Sequence, residues 1–481
     1  MFLFSASARK HLLGALLAGL ALRLFFVWRF PTTAGDTAIY EELARNWLDH
    51  FVYGLTIKGQ LVPADLRAPG YPAFLASIYL FFGRSQMAIM LAQVFVDLGT
   101  CLLTALLAAA LVPEPWRRRV AIPALWLAAT CPILANYAAV PLAEVLSTFL
   151  TTAVMLWLVK AAGAADASPL ARGDSRTVWA GWLVAGLLVG LGTLVRPEAP
   201  LLLVAAGIVM LVHWRKRVNW PKLLRAGALL AAGFVLPLLP WAARNWITLH
   251  KVQFLAARYA EMPGEFVSHG FFAWTKTWLW RYRDCYTVVW KYDDQPINMD
   301  DIPSSAFDTP EERERVAKLI AAYNEVTEAT PEFDRVFAQL AAERTARHPL
   351  RTYLWVPLLR SASIWLTPRV ALLPVSGNLW PLHREWDEDR TDLLVTLFFG
   401  ALGFFYIGLA LVGLYAGLRH RAEWRTGFPV GLAFFLMFLV VRTAFLTQVE
   451  TPEPRYVNEC FPIVLVLGAL AWILPNRKRA A

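Results

Sequence analysis

The chain is poor in cysteine and in charge: 4 of its 481 residues are Cys, and 17% are charged. So few thiols exclude a disulfide scaffold, and none has the spacing of a zinc or redox motif. Cys101 and Cys131 fall within apolar runs, whereas Cys285 and Cys460 leave a mutual pairing open. There is no glycine-rich phosphate loop and no strong internal repeat. His269, His348 and His383 have no partners at ligand spacing, so no metal site is expected. The first apolar run lacks a small-residue cleavage site, so it reads as a retained span and not a leader.

What the chain does have is apolar length. Hydrophobic residues make up 57% of it, and its 21 Trp and 29 Phe gather at the ends of apolar runs, as interfacial aromatic belts do. The runs are 11–30, 87–112, 120–137, 141–159, 178–195, 199–214, 226–243, 393–418, 428–445 and 457–474, each near span length. The net charge of +10 sits in basic clusters between these runs. It therefore follows the positive-inside rule and does not imply a nucleic-acid partner. The expected fold class is an all-α polytopic membrane protein, a bundle of about ten to twelve transmembrane helices.

Loop charge sets the orientation. Arg9 and Lys10 precede the first run, and Arg117, Arg118 and Arg119 follow the second. Both groups reach the cytoplasm only if 71–83 lies in the outer interface without crossing. The later runs then alternate. They bring Arg172, the cluster Arg215 to Arg225, Arg419 to Arg425 and the tail Asn476 to Arg479 to the cytoplasm, with both termini inside. The run 351–373 is broken by Pro357, Arg360, Pro368 and Arg369 and is expected to be interfacial or re-entrant. Three regions result. Residues 1–244 form a transmembrane module with a first outer loop, 31–86. Residues 245–391 form an outer, partly helical region, and 392–481 carry the last spans. Asp308-Thr309-Pro310-Glu311-Glu312 and Thr330-Pro331-Glu332 read as two helix starts in the middle region: an N-cap, a proline in the first turn, then acids at the dipole's positive end. Those two helices are expected on the membrane face as a small cap. The Trp-rich stretch 274–290 is expected on the bilayer surface.

This topology, drawn from charge alone, gathers Asp36, Arg67, Glu144, Arg196, Glu198 and Arg244 at one face. Glu450, Glu453, Arg455 and Tyr456 join them from the last outer loop. Asp36 opens an amphipathic stretch, with Ile39, Leu43 and Trp47 at helical spacing, which suits a helix lying along the interface. Acids and arginines together at an outer leaflet fit one chemistry. Guanidinium groups match phosphate oxygens in a bidentate way, and a carboxylate can take the proton of an attacking hydroxyl or amine. Plainer roles stay open. Gly35-Asp36-Thr37 also fits a helix N-cap. Arg244 also fits an interface anchor, Arg196 a snorkelling belt residue, and Glu144 a structural ion pair.

The order of these motifs resembles the GT-C superfamily of integral-membrane glycosyltransferases, nearest to the protein O-mannosyltransferase and aminoarabinose-transferase group. The motifs are Gly35-Asp36-Thr37-Ala38-Ile39-Tyr40 after the first span, Arg67-Ala68-Pro69-Gly70-Tyr71-Pro72 before a juxtamembrane helix, Pro141-Leu142-Ala143-Glu144, Leu194-Val195-Arg196-Pro197-Glu198 and Glu453-Pro454-Arg455-Tyr456. The resemblance implies that Asp36 is the catalytic base. It implies that Arg67 and Arg196, with Arg244, hold the phosphate of a polyprenyl-phosphate sugar. Tyr40, Glu144, Glu198, Glu453, Arg455 and Tyr456 would position donor or acceptor. It further implies an inverting, mannosyltransferase-like transfer to a glycan, lipid or protein on the periplasmic side of a bacterial inner membrane. The first acid is a lone Asp and not the Asp-Glu pair of the O-mannosyltransferases, and the oligosaccharyltransferase WWD motif is absent. A divalent-metal requirement is therefore not carried over. Residues 245–348 match no part of the family and are the expected seat of acceptor choice. Two rival functions remain: a transporter or flippase, and a ligase using a diphosphate-linked donor. A transporter would place its polar groups nearer the bilayer midplane than this sequence does.

Overall fold

The computed structural model describes residues 6–167, 175–215, 220–257, 266–420, 424 and 428–474. The expected basic positions Arg172, Lys216, Arg217, Arg421 and Arg425, and the tail from Asn476 to Arg479, lie outside the described residues. In chain order the elements open with α1 (Ala6–Arg29), α2 (Gly35–His50), β1 (Gly54–Ile57), β2 (Gln60–Pro63), α3 (Gly70–Phe82), α4 (Gln86–Leu111), α5 (Glu114–Ala129) and α6 (Pro132–Ala135). Then come α7 (Glu144–Ala167), α8 (Ser175–Val195), α9 (Leu201–Arg215), α10 (Trp220–Leu249), α11 (His269–Thr275), α12 (Tyr282–Thr287), α13 (Pro310–Val326) and α14 (Pro331–Arg347). The last are α15 (Val356–Leu366), α16 (Leu382–Glu388), α17 (Arg390–His420), α18 (Phe428–Leu446) and α19 (Phe461–Ala469).

The protein is an all-α, multi-pass membrane protein. Seven described helices are long and apolar enough to cross a bilayer, and α5 with the segment 132–139, bent by 47°, is either a broken eighth span or a re-entrant loop. α8 and α9 also fall on apolar runs read from the sequence, but their apolar portions are shorter. α3, of 13 residues, and α15, of 11, are below full span length. One small sheet was not foreseen: β1 and β2 form an antiparallel hairpin whose turn places Lys58 and Gly59 at positive φ. That is the conformation a two-residue hairpin turn demands.

The chain divides into two compact units, 1–258 with 369–441 and 458–481, and 259–368 with 442–457. In the first unit small residues let helix backbones approach: a Cβ at Gly186 of α8 would stand 2.3 Å from the Leu230 carbonyl of α10. A buried ion pair joins α1 to α4, where Arg23 Nε meets Asp97 Oδ2 at 2.7 Å and Arg23 Nη1 donates to Ala129 O at 2.8 Å. Such a pair at membrane depth holds only because every polar edge is answered.

The second unit has its own core. Phe271, Trp274, Trp278, Leu279, Val316, Ile320, Tyr323, Phe337 and Leu340 are buried together. The aromatic stretch read as a bilayer surface is therefore largely interior: Trp274 and Trp278 are 0% and 1% exposed, whereas Trp290 is 45% exposed. Both helix starts in this unit hold as read. Thr309 accepts from Glu312 N–H and Thr330 from Phe333 N–H, opening α13 and α14. Arg360, read as an interruption, uses its guanidinium to tie strands of loop together, donating to the carbonyls of Leu279 at 2.7 Å, Thr447 at 3.1 Å and Val449 at 2.7 Å. The four cysteines form no disulfide.

Candidate functional site

The site in the first unit begins at α2. At its N-terminus the Ala34 N–H donates to Thr37 Oγ1 at 3.1 Å, and that hydroxyl donates to Pro141 O at 3.1 Å. Asp36 stands in the first turn, where the helix dipole favours an acid. Its Oδ1 receives Arg67 Nη2 at 2.7 Å, with the two side chains 24% and 19% exposed. The pair is reachable from solvent yet fixed by a charge-assisted bond.

Arg67 is placed by its loop. The hairpin before it is anchored by Asn46 Nδ2 to Gly54 O at 2.9 Å and by Tyr53 Oη to Arg67 O at 3.0 Å. The loop then runs into α3 at Gly70. A Cβ there would lie 2.6 Å from Leu194 O, so only glycine lets this loop meet the end of α8. Two residues beyond that contact lies Arg196. Its Nε is 3.1 Å from Glu198 Oε1 and 3.8 Å from Glu459 Oε1, and its Nη1 is 3.4 Å from Glu144 Oε1. Three carboxylates thus face one guanidinium. Glu144 stands in the first turn of α7, where the helix dipole favours an acid.

Tyr40 stands among these charges, one turn along α2 from Asp36. Burial pushes its hydroxyl up to about 12; Asp36 and Glu144 add to this, and Arg67 and Arg196 oppose it. A single phenol feels all four groups. Its ring packs edge-on against Tyr71 at 4.9 Å. Tyr71 Oη donates to Gln93 Oε1 at 2.7 Å, and Gln93 Nε2 donates to Val140 O at 2.7 Å, in the segment that leads to Glu144. So one buried chain of contacts fixes Tyr40 and the approach to α7 together.

Not every expected residue joins. Arg244 directs Nη1 to Ala64 O at 2.9 Å and Nη2 to Tyr53 O, and lies over the rings of Tyr53 and Trp241. These contacts clamp the hairpin. Glu453, Arg455 and Tyr456 belong to the second unit, where they form their own cluster. Arg455 Nε lies 2.6 Å from Glu453 Oε2, Tyr456 Oη donates to Glu453 Oε1, and Arg442 Nη2 donates to Tyr456 O at 3.1 Å. Among the described residues no group of three or more His, Cys, Asp or Glu side chains is arranged to hold a metal ion.

Glu459 escaped the sequence reading. The signal was present: an acid inside the start of the apolar run 457–474, the same argument that singled out Glu144. Gln93 and Tyr71, inside apolar helices, carried no such mark.

The sequence matches no known protein family, and no curated protein matches it. Solved structures do. The oligosaccharyltransferase AglB from Archaeoglobus fulgidus, solved with an inhibitory peptide and a dolichol-phosphate, is 15% identical with a TM-score of 0.51. A second structure of that enzyme, tethered to an acceptor peptide, is 13% identical at 0.52. Each match covers 98% of this chain and 50% of the other, so the chain spans about half the length of that protein. ArnT from Cupriavidus metallidurans in the apo state aligns with 92% of this chain and 78% of its own, at 14% identity and a TM-score of 0.40. Over nearly its whole length the chain shares the fold of AglB.

Proposed function

We propose that this chain is an inverting glycosyltransferase. It moves a monosaccharide from a polyprenyl-phosphate carrier to an acceptor at the periplasmic face of a bacterial inner membrane. The observation that carries this reading is the Asp36–Arg67 pair at 2.7 Å, with both side chains part-exposed. Asp36 takes the proton of the acceptor hydroxyl or amine as that group forms a bond to the anomeric carbon. The bond from that carbon to the phosphate oxygen breaks, and the lipid phosphate leaves with the electron pair. Arg67 faces the developing negative charge, where fixed cations act most strongly. Arg196 supports it less directly, because three acids offset its charge. Glu144 and Tyr40 orient the reactants. A single base with no second carboxylate acting as nucleophile suits inversion. The bound dolichol-phosphate of AglB supports a lipid-phosphate donor here by likeness of fold.

The test compares wild type with Asp36→Asn in membranes supplied with radiolabelled polyprenyl-phosphate sugars. The variant is expected to retain donor and lose transfer by roughly 10² to 10⁴-fold, the range of a general base. Equal transfer by both would refute Asp36 as base. Label carried intact across sealed vesicles, with no new glycosidic bond, would favour a flippase.

A further inference from the structure

The strongest feature outside the assigned residues is a buried carboxylate with unusually specific partners. Glu459 is 2% exposed, just ahead of α19. A carboxylate so buried is stable only where its oxygens are bonded and its charge is answered. Both conditions are met from two directions. Ser147 Oγ donates to Oε1 and Thr151 Oγ1 donates to Oε2 at 3.3 Å. The two hydroxyls lie four residues apart on α7, hence on one face, and Glu144 precedes Ser147 by three on that same stripe. The charge is answered by Arg196 Nε at 3.8 Å.

This arrangement brackets Arg196. Glu144 meets its Nη1 edge, while Glu459 and Glu198 meet its Nε edge. Glu144 and Glu459 are both referred to α7, one by belonging to it and the other through the two hydroxyls. The guanidinium plane is therefore set by α7 and not only by its own turn at Pro197.

We infer that Glu459, held by Ser147 and Thr151, is a positioning residue that acts through Arg196 to hold the guanidinium toward the site around Asp36 and Arg67. The inference rests on the glycosyltransferase reading for its catalytic consequence, but the coupling between Glu459 and Arg196 does not.

The test is a pair of double-mutant cycles on the full chain, with Glu459→Gln, Arg196→Lys and the double variant. One cycle reads thermal stability in detergent. The other reads kcat and donor KM for transfer from polyprenyl-phosphate sugars. Glu459→Gln keeps the acceptor oxygen for one hydroxyl and removes the charge, which limits misfolding. Each single variant is expected to lower kcat/KM roughly 10 to 100-fold, as loss of an orienting partner does. The double variant should be no worse than Arg196→Lys alone, and Glu459→Asp should restore part of the rate. The Ser147→Ala, Thr151→Val double variant should repeat the Glu459→Gln defect. Additive effects in both cycles would overturn the inference. Coupling in stability with additive effects on transfer would also overturn it, leaving Glu459 a structural pair. A wild type that transfers no sugar overturns the glycosyltransferase reading together with the catalytic part of this inference. The stability cycle then decides the Glu459–Arg196 coupling separately.

Discussion

Two arginine clusters, one in each unit, spend the same chemistry differently. In the second unit Arg344 is 0% exposed. It donates to Glu312 Oε1 at 2.6 Å, Thr277 Oγ1 at 2.8 Å and Ser305 O at 2.9 Å. Arg347 reaches Glu312 Oε2 at 2.6 Å, and Arg351 closes on Asp308. Three cations answer two acids, the bonds of Arg344 to Glu312 and of Arg347 to Glu312 are short, and the network joins α13 to α14. In the first unit Arg196 is 14% exposed and meets three acids at 3.1 to 3.8 Å. The first arrangement is built around a fully buried guanidinium with close partners, and its edge, Arg347 and Arg351, is 36% and 25% exposed. The second is looser and has more acids than cations. Burial of charge alone does not mark a site; the tightness of the partners separates a rivet from a socket.

The largest effect should come from breaking the closed cluster. Arg344→Met leaves Glu312 and Asp308 short of a cation and should cost about 3 to 5 kcal/mol of stability, the usual result of removing one partner of a buried pair. Chemical denaturation followed by Trp fluorescence measures it, because Trp274 and Trp278 lie in the same unit's core. A loss near zero would erase the contrast. Arg67→Lys tests the open side. It keeps the charge and loses the planar fork, so donor KM should rise by about tenfold. The melting temperature should hardly move, since part-exposed pairs contribute at most about 1 kcal/mol. A large drop in stability with normal KM would reverse the assignment.

The smallest effect is a dependence on acid. Burial tends to raise the Asp308 carboxyl, but the bond from Arg351 and the charges of Arg344 and Arg347 outweigh it and hold the group below its ordinary 3.8. A carboxyl lowered on folding gives stability that is complete above the unfolded value and disappears as pH falls through the folded one. The second unit should therefore lose stability below about pH 4, and Asp308→Asn should flatten that slope while lowering stability at neutral pH. An unchanged acid slope in the variant would place the titration elsewhere.

The sequence made some of this legible for physical reasons. Thr309 and Thr330 announced helices because capping is local chemistry, readable within four residues. Asp36, Arg67, Glu144 and Arg196 stood out because charge beside apolar runs is costly and so draws attention. What failed was anything decided by distant partners. Trp274 and Trp278 were assigned to a lipid surface because aromatic side chains serve interfaces and interiors alike, and only Phe271 and Phe337 beside them tell which. That Thr37 Oγ1 would take the Ala34 N–H and reach Pro141 O was invisible for the same reason, since Pro141 is far away in the chain. The hairpin at Lys58 and Gly59 was lost inside a loop read for its charges.

Gly70 has a mechanical consequence. A Cβ there would stand 2.6 Å from Leu194 O, so a methyl group could enter only by pushing the strap that carries Arg67 away from the turn that carries Arg196. The spacing of the two arginines is thus set by the absence of a side chain, and Gly70→Ala would widen it without touching either charge.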